Sequence, residues 1–314
     1  MPLSIAFQMD PIEAVDINAD STFRLAEEAQ MRGHDIWVYT PDRLAYDDGE
    51  IIAEMQQVQV QRVAGDPARI QQVQRRPLSA LDVVWLRQDP PFDMGYITTT
   101  HLLDLVGGDT LVVNDPTWVR NYPEKLLVLQ FPDLHPPTTI ARDLDVLKAF
   151  KDRYGDIILK PLYGNGGAGV FRLGPQDRNL NSLHELFSGI NREPLIVQKF
   201  LPDVSQGDKR VILVDGEPVG AINRVPAKEE IRSNMHVGGR PEKIELDERD
   251  HEICQRIGPL LKEKGQVFVG IDVIGGMLTE INVTSPTGIQ ELERFDGVNV
   301  AGQIWDAIEA RKSL

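Results

Sequence analysis

Residues 267–287 constrain the fold of this chain more than any other stretch, because Asp272, Glu280 and Asn282 interrupt two otherwise apolar runs. Val, Ile and Phe dominate both runs and Gly275-Gly276 separates them, so the segment reads as a β-hairpin. Glu280 and Asn282 are two apart and share a face of their strand. A carboxylate buried without a partner pays a desolvation penalty that a bound cation would offset. Oxygen donors of this kind suit Mg²⁺ or Mn²⁺. By itself the hairpin also fits an ordinary one-sided strand pair whose polar side chains face water. A shared site makes a demand on register: a plain two-residue turn at Gly275-Gly276 pairs Ile271 with Glu280, whereas a longer turn or a bulge pairs Asp272 with Glu280. The second arrangement is expected.

A chain of 314 residues exceeds the usual single domain, so about two domains are expected. The formal net charge of −15 opposes binding to a phosphate backbone, and no nucleic-acid partner is expected. A single cysteine, Cys254, excludes an internal disulfide and a cysteine-rich zinc site, fits a reducing cytoplasm, and falls in an expected helix as core. The first ten residues lack a basic leader and turn polar early, and no apolar run reaches about 18 residues. A cytoplasmic protein with no membrane partner is therefore expected.

The first third alternates strands and helices: a strand over 3–8, a helix capped by Asp20 or Ser21 running to Met31, strands over 35–40, 81–87 and 110–114, and a helix over 95–106. This is an α/β pattern with an open parallel sheet, ending near residue 122. Ligands of such sheets gather beyond the carboxyl ends of the strands, where Asp10-Pro11, Arg87-Gln-Asp89-Pro-Pro91 and Asn114 fall. A second module follows, with a helix after Pro123, a strand over 138–141, a helix over 144–154, a strand over 156–160 and another over 195–201. A third opens with a hairpin on Asp215-Gly216, followed by a helix over 247–264, the oxygen-bearing hairpin and a final amphipathic helix. The expected divisions are 1–122, 123–202 and 203–314, with a mobile loop over 225–240.

Gly164-Asn-Gly166-Gly167-Ala-Gly169 formally contains G-x-G-x-x-G, yet the strand-like Val-Phe-Arg-Leu follows where a dinucleotide fold requires a helix. No Gly-Lys-Ser/Thr follows either, so the loop is not a Walker A. What remains is a glycine loop between two strands, able to bring backbone N–H groups close to phosphate oxygens. Lys160, at the end of the preceding strand, fits a phosphate-neutralising cation or a solvated lysine. Leu195 to Leu201 reads as an edge or linker strand whose Gln198, Lys199, Phe200 and Leu201 could face an adenine ring, with Asp208 beyond for a ribose hydroxyl; it equally fits a core strand. Lys125 alone is ambiguous.

Taken in order, Lys125, Lys160 with its glycine loop, Gln198 to Leu201, Arg210, then Asp272, Glu280 and Asn282 resemble the ATP-grasp superfamily. Met9-Asp-Pro-Ile12, Arg87-Gln-Asp-Pro-Pro-Phe-Asp93, Gly207-Asp-Lys-Arg-Val211 and Thr279-Glu-Ile-Asn-Val-Thr-Ser-Pro-Thr287 are similar to bacterial glutathione synthetases over nearly the whole chain. Some members carry Cys where Gly288 stands, so no thiol acts there in this chain. The resemblance implies an ATP-grasp fold, classed α/β (α+β), and ligation of γ-glutamylcysteine to glycine through an acyl-phosphate, with ATP as co-substrate. It also implies ATP contacts from Lys125, Lys160, Gly164, Gly166, Gly167, Gln198 to Leu201 and Asp208, and metal ligation by Asp272, Glu280 and Asn282. Arg210 and Lys160 would act in catalysis, and Arg224, Arg232, Asn234, Ser285 and Thr287 would contact substrate. A homotetramer is implied as well. His236 reads as an exposed loop residue. Another carboxylate-amine ligase or a non-catalytic ATP-binding protein would share much of the nucleotide pattern.

Overall fold

The computed structural model describes residues 2–227, 230, 232–233 and 238–313. The first sheet holds β1 (Ser4–Gln8), β2 (Asp35–Tyr39), β3 (Leu44–Asp47), β4 (Glu50–Val60), β5 (Ala68–Pro77), β6 (Val83–Leu86) and β7 (Leu111–Val113), ordered β3-β4-β2-β1-β6-β7 with β5 on β4. The expected parallel strands are β2, β1, β6 and β7. Sequence reading did not find β3, β4 and β5, an antiparallel extension that makes the sheet mixed. β4 buries Ile51, Ala53 and Met55 in alternation, but a register shift at Gln57/Val58 breaks the period, and β5 is mostly exposed and carries no apolar alternation. The helix Ser21–Met31 starts where the Asp20 carboxylate accepts the Phe23 N–H at 2.6 Å.

The second sheet contains β8 (Thr138–Ala141), β9 (Ile157–Pro161), β10 (Phe171–Leu173) and β11 (Leu195–Lys199), in antiparallel order β10-β9-β11-β8. Its face is covered by the helix Leu144–Tyr154, which Gly155 ends at φ 74°, and by the helix Leu180–Ile190, which sequence reading missed. The third sheet runs β14-β13-β12-β15-β16, all antiparallel, from β12 (Asp208–Val214), β13 (Glu217–Val225), β14 (Arg240–Ile244), β15 (Phe268–Ile274) and β16 (Met277–Asn282). Asp215 and Gly216 both have positive φ, as a tight hairpin turn requires. A methyl group on Gly216 would stand 2.5 Å from the Gly258 carbonyl oxygen, so this turn seats directly on the helix Glu248–Glu263.

The chain ends close to where it began. Trp305, on the helix Val300–Lys312, lies 6.4 Å from Phe7 and 5.9 Å from Trp85, ring centre to ring centre, and its indole N–H donates to the Leu25 carbonyl at 2.8 Å. One apolar core therefore joins the first and third sheets. Among the described residues no helix is long and apolar enough to cross a membrane.

Candidate active site

The hairpin β15–β16 meets its register demand through a bulge, as expected, and not through a longer turn. The turn is the plain two-residue kind, with Ile274 opposite Met277, but a bulge at Thr279 shifts the ladder so that Asp272 pairs with Glu280 and Gly270 with Asn282. Asp272, Glu280 and Asn282 thus project from one face. The Thr279 hydroxyl donates to the Asp272 carbonyl at 3.1 Å and secures the bulge. Asn282 spends its amide N–H on the Gly270 carbonyl at 3.1 Å, which leaves its oxygen as a donor to a cation.

Four cations converge on this face. Lys160 Nζ is 3.1 Å and Lys125 Nζ 3.5 Å from Glu280 Oε1; Arg210 grips Asp272 with Nε–Oδ1 2.5 Å and Nη2–Oδ2 3.1 Å. Arg224 Nη2 lies 3.0 Å from Asp272 Oδ1 and 2.6 Å from Asp208 Oδ2. Burial raises the Asp272 and Glu280 pKa values, but the arginines around the first and the lysines around the second outweigh it, and both end below the usual carboxylate range. Burial dominates at Asp208, where Arg224 lowers and Asp272 raises the value, leaving it at about 6. The Lys125 ammonium is destabilised by burial and more than restored by Glu280 and Glu124, so its pKa rises.

Of these residues Lys125, Lys160, Asp208, Asp272 and Glu280 line a cleft with about 890 Å³ of space between its walls, part of it open to solvent. Gly164, Gly166 and Gly167 line it from the loop between β9 and β10, and Lys125 Nζ ties that loop down through the Gly164 carbonyl at 2.6 Å. The far end is walled by Pro136, Ile158, Val204 and Ile274 together with Gln198, Lys199, Phe200 and Leu201. β11 is an interior strand between β9 and β8, not an edge, and the N–H groups of Lys199 and Phe200 are taken by the Pro137 and Asp156 carbonyls at 2.9 and 3.0 Å. Phe200 instead stacks its ring under the Arg172 guanidinium at 3.8 Å. Asp208 Oδ1 is buried without a partner among the described residues, while its Oδ2 takes the Ser233 hydroxyl at 2.7 Å.

Arg224, expected to contact substrate, is buried and shared by two carboxylates that line the cleft. Arg232 does reach the glycine loop, with Nη1 3.5 Å from the Gly167 carbonyl, and also pairs with Glu230 at 2.6 Å. Asn234 and His236 lie outside the described residues, as does part of the expected loop over 225–240. Ser285 and Thr287 stand away from the nucleotide end. Arg210 Nη1 meets the Thr287 carbonyl at 3.3 Å, and the Ser285 hydroxyl meets the Arg87 carbonyl at 3.5 Å, at the carboxyl ends of β1 and β6. Asn114 is a staple: its amide bonds the Phe268 and Val283 carbonyls and the Phe268 N–H at 2.8, 2.8 and 3.0 Å, fastening the first sheet to the third. Ser233, Thr279 and Glu124 were not singled out from sequence, since short polar residues beside a motif carry no periodic or spacing signal of their own.

Two family profiles account for nearly all of the chain: "Prokaryotic glutathione synthetase, N-terminal domain" over residues 3–120 and "Prokaryotic glutathione synthetase, ATP-grasp domain" over residues 124–297. The chain belongs to the prokaryotic glutathione synthetase family. It is 59% identical over 312 residues to the glutathione synthetase of Brucella melitensis biotype 1, covering 99% of this chain and 100% of that one. It is 43% identical to the glutathione synthetase of Synechococcus elongatus, covering 98% of each. Among solved structures, D-cycloserine synthetase DcsG superposes with a TM-score of 0.70 at 14% identity, covering 98% of this chain and 100% of that one. The ATP-grasp ligase PsnB complexed with its minimal precursor gives 0.64 at 20%, covering 99% of each. These two establish the ATP-grasp fold alone.

Proposed function

We infer that this chain joins γ-glutamylcysteine to glycine at the expense of ATP, releasing glutathione, ADP and phosphate. The observation that carries the reading is the Asp272–Glu280 pair facing Lys125, Lys160 and Arg210 beneath a glycine loop, in a member of this family. The dipeptide carboxylate attacks the γ-phosphate, and the glycine amine then displaces phosphate from the acyl-phosphate. Two anions must approach one another in the first step, so the protein's task is charge neutralisation and positioning rather than nucleophilic attack. Lys125 and Lys160 hold phosphate oxygens, the backbone of residues 164–167 covers them, and Arg210 steadies the acyl-phosphate and the tetrahedral oxyanion. Asp208 accepts a ribose hydroxyl, and Gln198 to Leu201 flank the base. Arg232 and Asn234 contact substrate or phosphate from the segment over 225–240, and Ser285 and Thr287 line the dipeptide side.

The donor set fits a divalent cation. Two carboxylates and an amide on one face leave room for phosphate oxygens to complete the coordination of such an ion. Mg²⁺ is usually bound in that way, through one or two carboxylates plus substrate phosphates. Asp272, Glu280 and Asn282 would hold Mg²⁺ or Mn²⁺, which would supply charge neutralisation at the transferring phosphoryl group. The reading extends to a cytoplasmic homotetramer divided as 1–122, 123–202 and 203–314. The outermost strand β5 supports a contact between copies, since Ile70 and Val73 stand 48% and 57% exposed on it.

Phosphate release should require γ-glutamylcysteine and glycine together, because an acyl-phosphate shielded from water waits for its amine. A coupled phosphate assay with each substrate omitted in turn checks this. Sustained turnover on the dipeptide alone, with a stable phosphorylated product, is the behaviour of a kinase and would remove the ligase reading.

A further inference from the structure

Every carboxylate that lines the nucleotide cleft, Asp208, Asp272 and Glu280, is paired with an arginine or a lysine. Glu124 is different. It opens the short helix Glu124–Leu127, next to Lys125, and among the described residues no Lys or Arg nitrogen lies within 4 Å of it. One of its oxygens, Oε1, accepts the Thr284 hydroxyl at 2.9 Å, a bond that aims the carboxylate. It lines a second, narrow space bounded by Phe92, Tyr163, Asn165, Lys125 and Thr284. Lys125 and Asn165 also belong to the wall of the nucleotide cleft, so the two spaces meet at the phosphate-binding end. The small space therefore adjoins the position of the acyl-phosphate and is roofed by two aromatic rings, Phe92 and Tyr163, whose centres are 5.8 Å apart.

We propose that Glu124 receives the glycine ammonium in this chamber and takes its proton. The proposal rests on the ligase reading and adds to it the group that generates the nucleophile. Glycine is mostly protonated at neutral pH and its nitrogen has no lone pair to offer. One N–H proton passes to Glu124, the freed amine attacks the acyl carbon, the N–C bond forms, and the C–O bond to phosphate breaks. The second proton leaves with phosphate as the amide forms, and Glu124 returns its own to solvent. An unpaired carboxylate suits the task, since one already clamped by a cation would hold a proton poorly. Burial raises the Glu124 pKa, with Lys125 and Arg210 pulling it down and Glu280 pushing it up; the Tyr96 phenol also faces it. Thr284 serves as the positioning residue.

The test compares two amines in wild type and Glu124→Gln, a change that keeps an acceptor for the Thr284 hydroxyl. Hydroxylamine is neutral at neutral pH and needs no base, so it should intercept the acyl-phosphate as a hydroxamate without Glu124. The ratio of glutathione to hydroxamate formed should fall about 10²–10⁴-fold in the variant, the usual range for loss of a general base. KM for ATP and for γ-glutamylcysteine should hold, and Glu124→Asp should recover part of the ratio. Equal loss with both amines would overturn the proposal by making Glu124 a mere support for Lys125, and an unchanged ratio would overturn it outright. If wild type forms neither product, the ligase reading itself fails and the proposal with it.

Discussion

Arg210→Met should lower kcat about 10²–10³-fold, the cost usually seen when one preorganised donor to a developing oxyanion is removed. Two features make Arg210 a strong candidate for that role. Its guanidinium is held in a fixed plane by the two contacts to Asp272, and its remaining nitrogen, Nη1, points to the Thr287 carbonyl between the nucleotide and dipeptide ends of the site. The fold should survive, because Asp272 keeps Arg224 at 3.0 Å. KM for ATP should move little, since the lysines and the glycine loop are untouched. Rapid-quench measurement of ADP formation, alongside urea unfolding, separates the two effects. A variant with near-normal kcat would reduce Arg210 to a structural partner of Asp272.

Glu280→Gln should act on both stability and metal use. In the unliganded protein Glu280 neutralises Lys125 and Lys160, whose side chains are only 5% and 12% exposed. Removing one partner of such a buried pair costs about 3–5 kcal/mol, because the cations stay behind uncompensated. The Mg²⁺ concentration for half-maximal rate should rise and kcat should fall, while ATP itself, an anion, finds the lysines free. The stability loss has a definite pH dependence. Burial raises the Glu280 pKa, the two lysines lower it further, and the net value in the folded state is depressed. Its contribution is therefore fully present above the unfolded carboxylate pKa of about 4.3 and is lost as pH falls through the folded value. The gap between wild type and Glu280→Gln should be constant near neutrality and narrow below about pH 4. A gap that widens on acidification, or an unchanged Mg²⁺ requirement, would contradict the assigned role.

Local chemistry carried much of this architecture on its face. The apolar runs of β15 and β16, the glycine turn between them, the Asp215-Gly216 hairpin and the Asp20 cap are all near-neighbour effects, and each stands where its residues put it. The same holds for the flexible loop over 164–169, whose following strand ruled out a dinucleotide fold. The strands β3, β4 and β5 were not visible, because β3 is short, the alternation of β4 is broken by a register shift at Gln57/Val58, and the mostly exposed β5 pairs through backbone bonds that any side chain permits. Residue types in order announced which lysines, carboxylates and arginines would meet, but not how they would be partnered. The bulge at Thr279 depends on a one-residue shift in register, the sharing of Arg224 by Asp208 and Asp272 on strands 16 and 48 residues away, and the stapling role of Asn114 on atoms more than 150 residues apart. Charge pairing is decided by distances of an ångström or so between segments that only packing brings together. Glu124 lacks a direct ion pair among the described residues for the same reason: the nearest contact of the neighbouring lysine is with Glu280 on another strand.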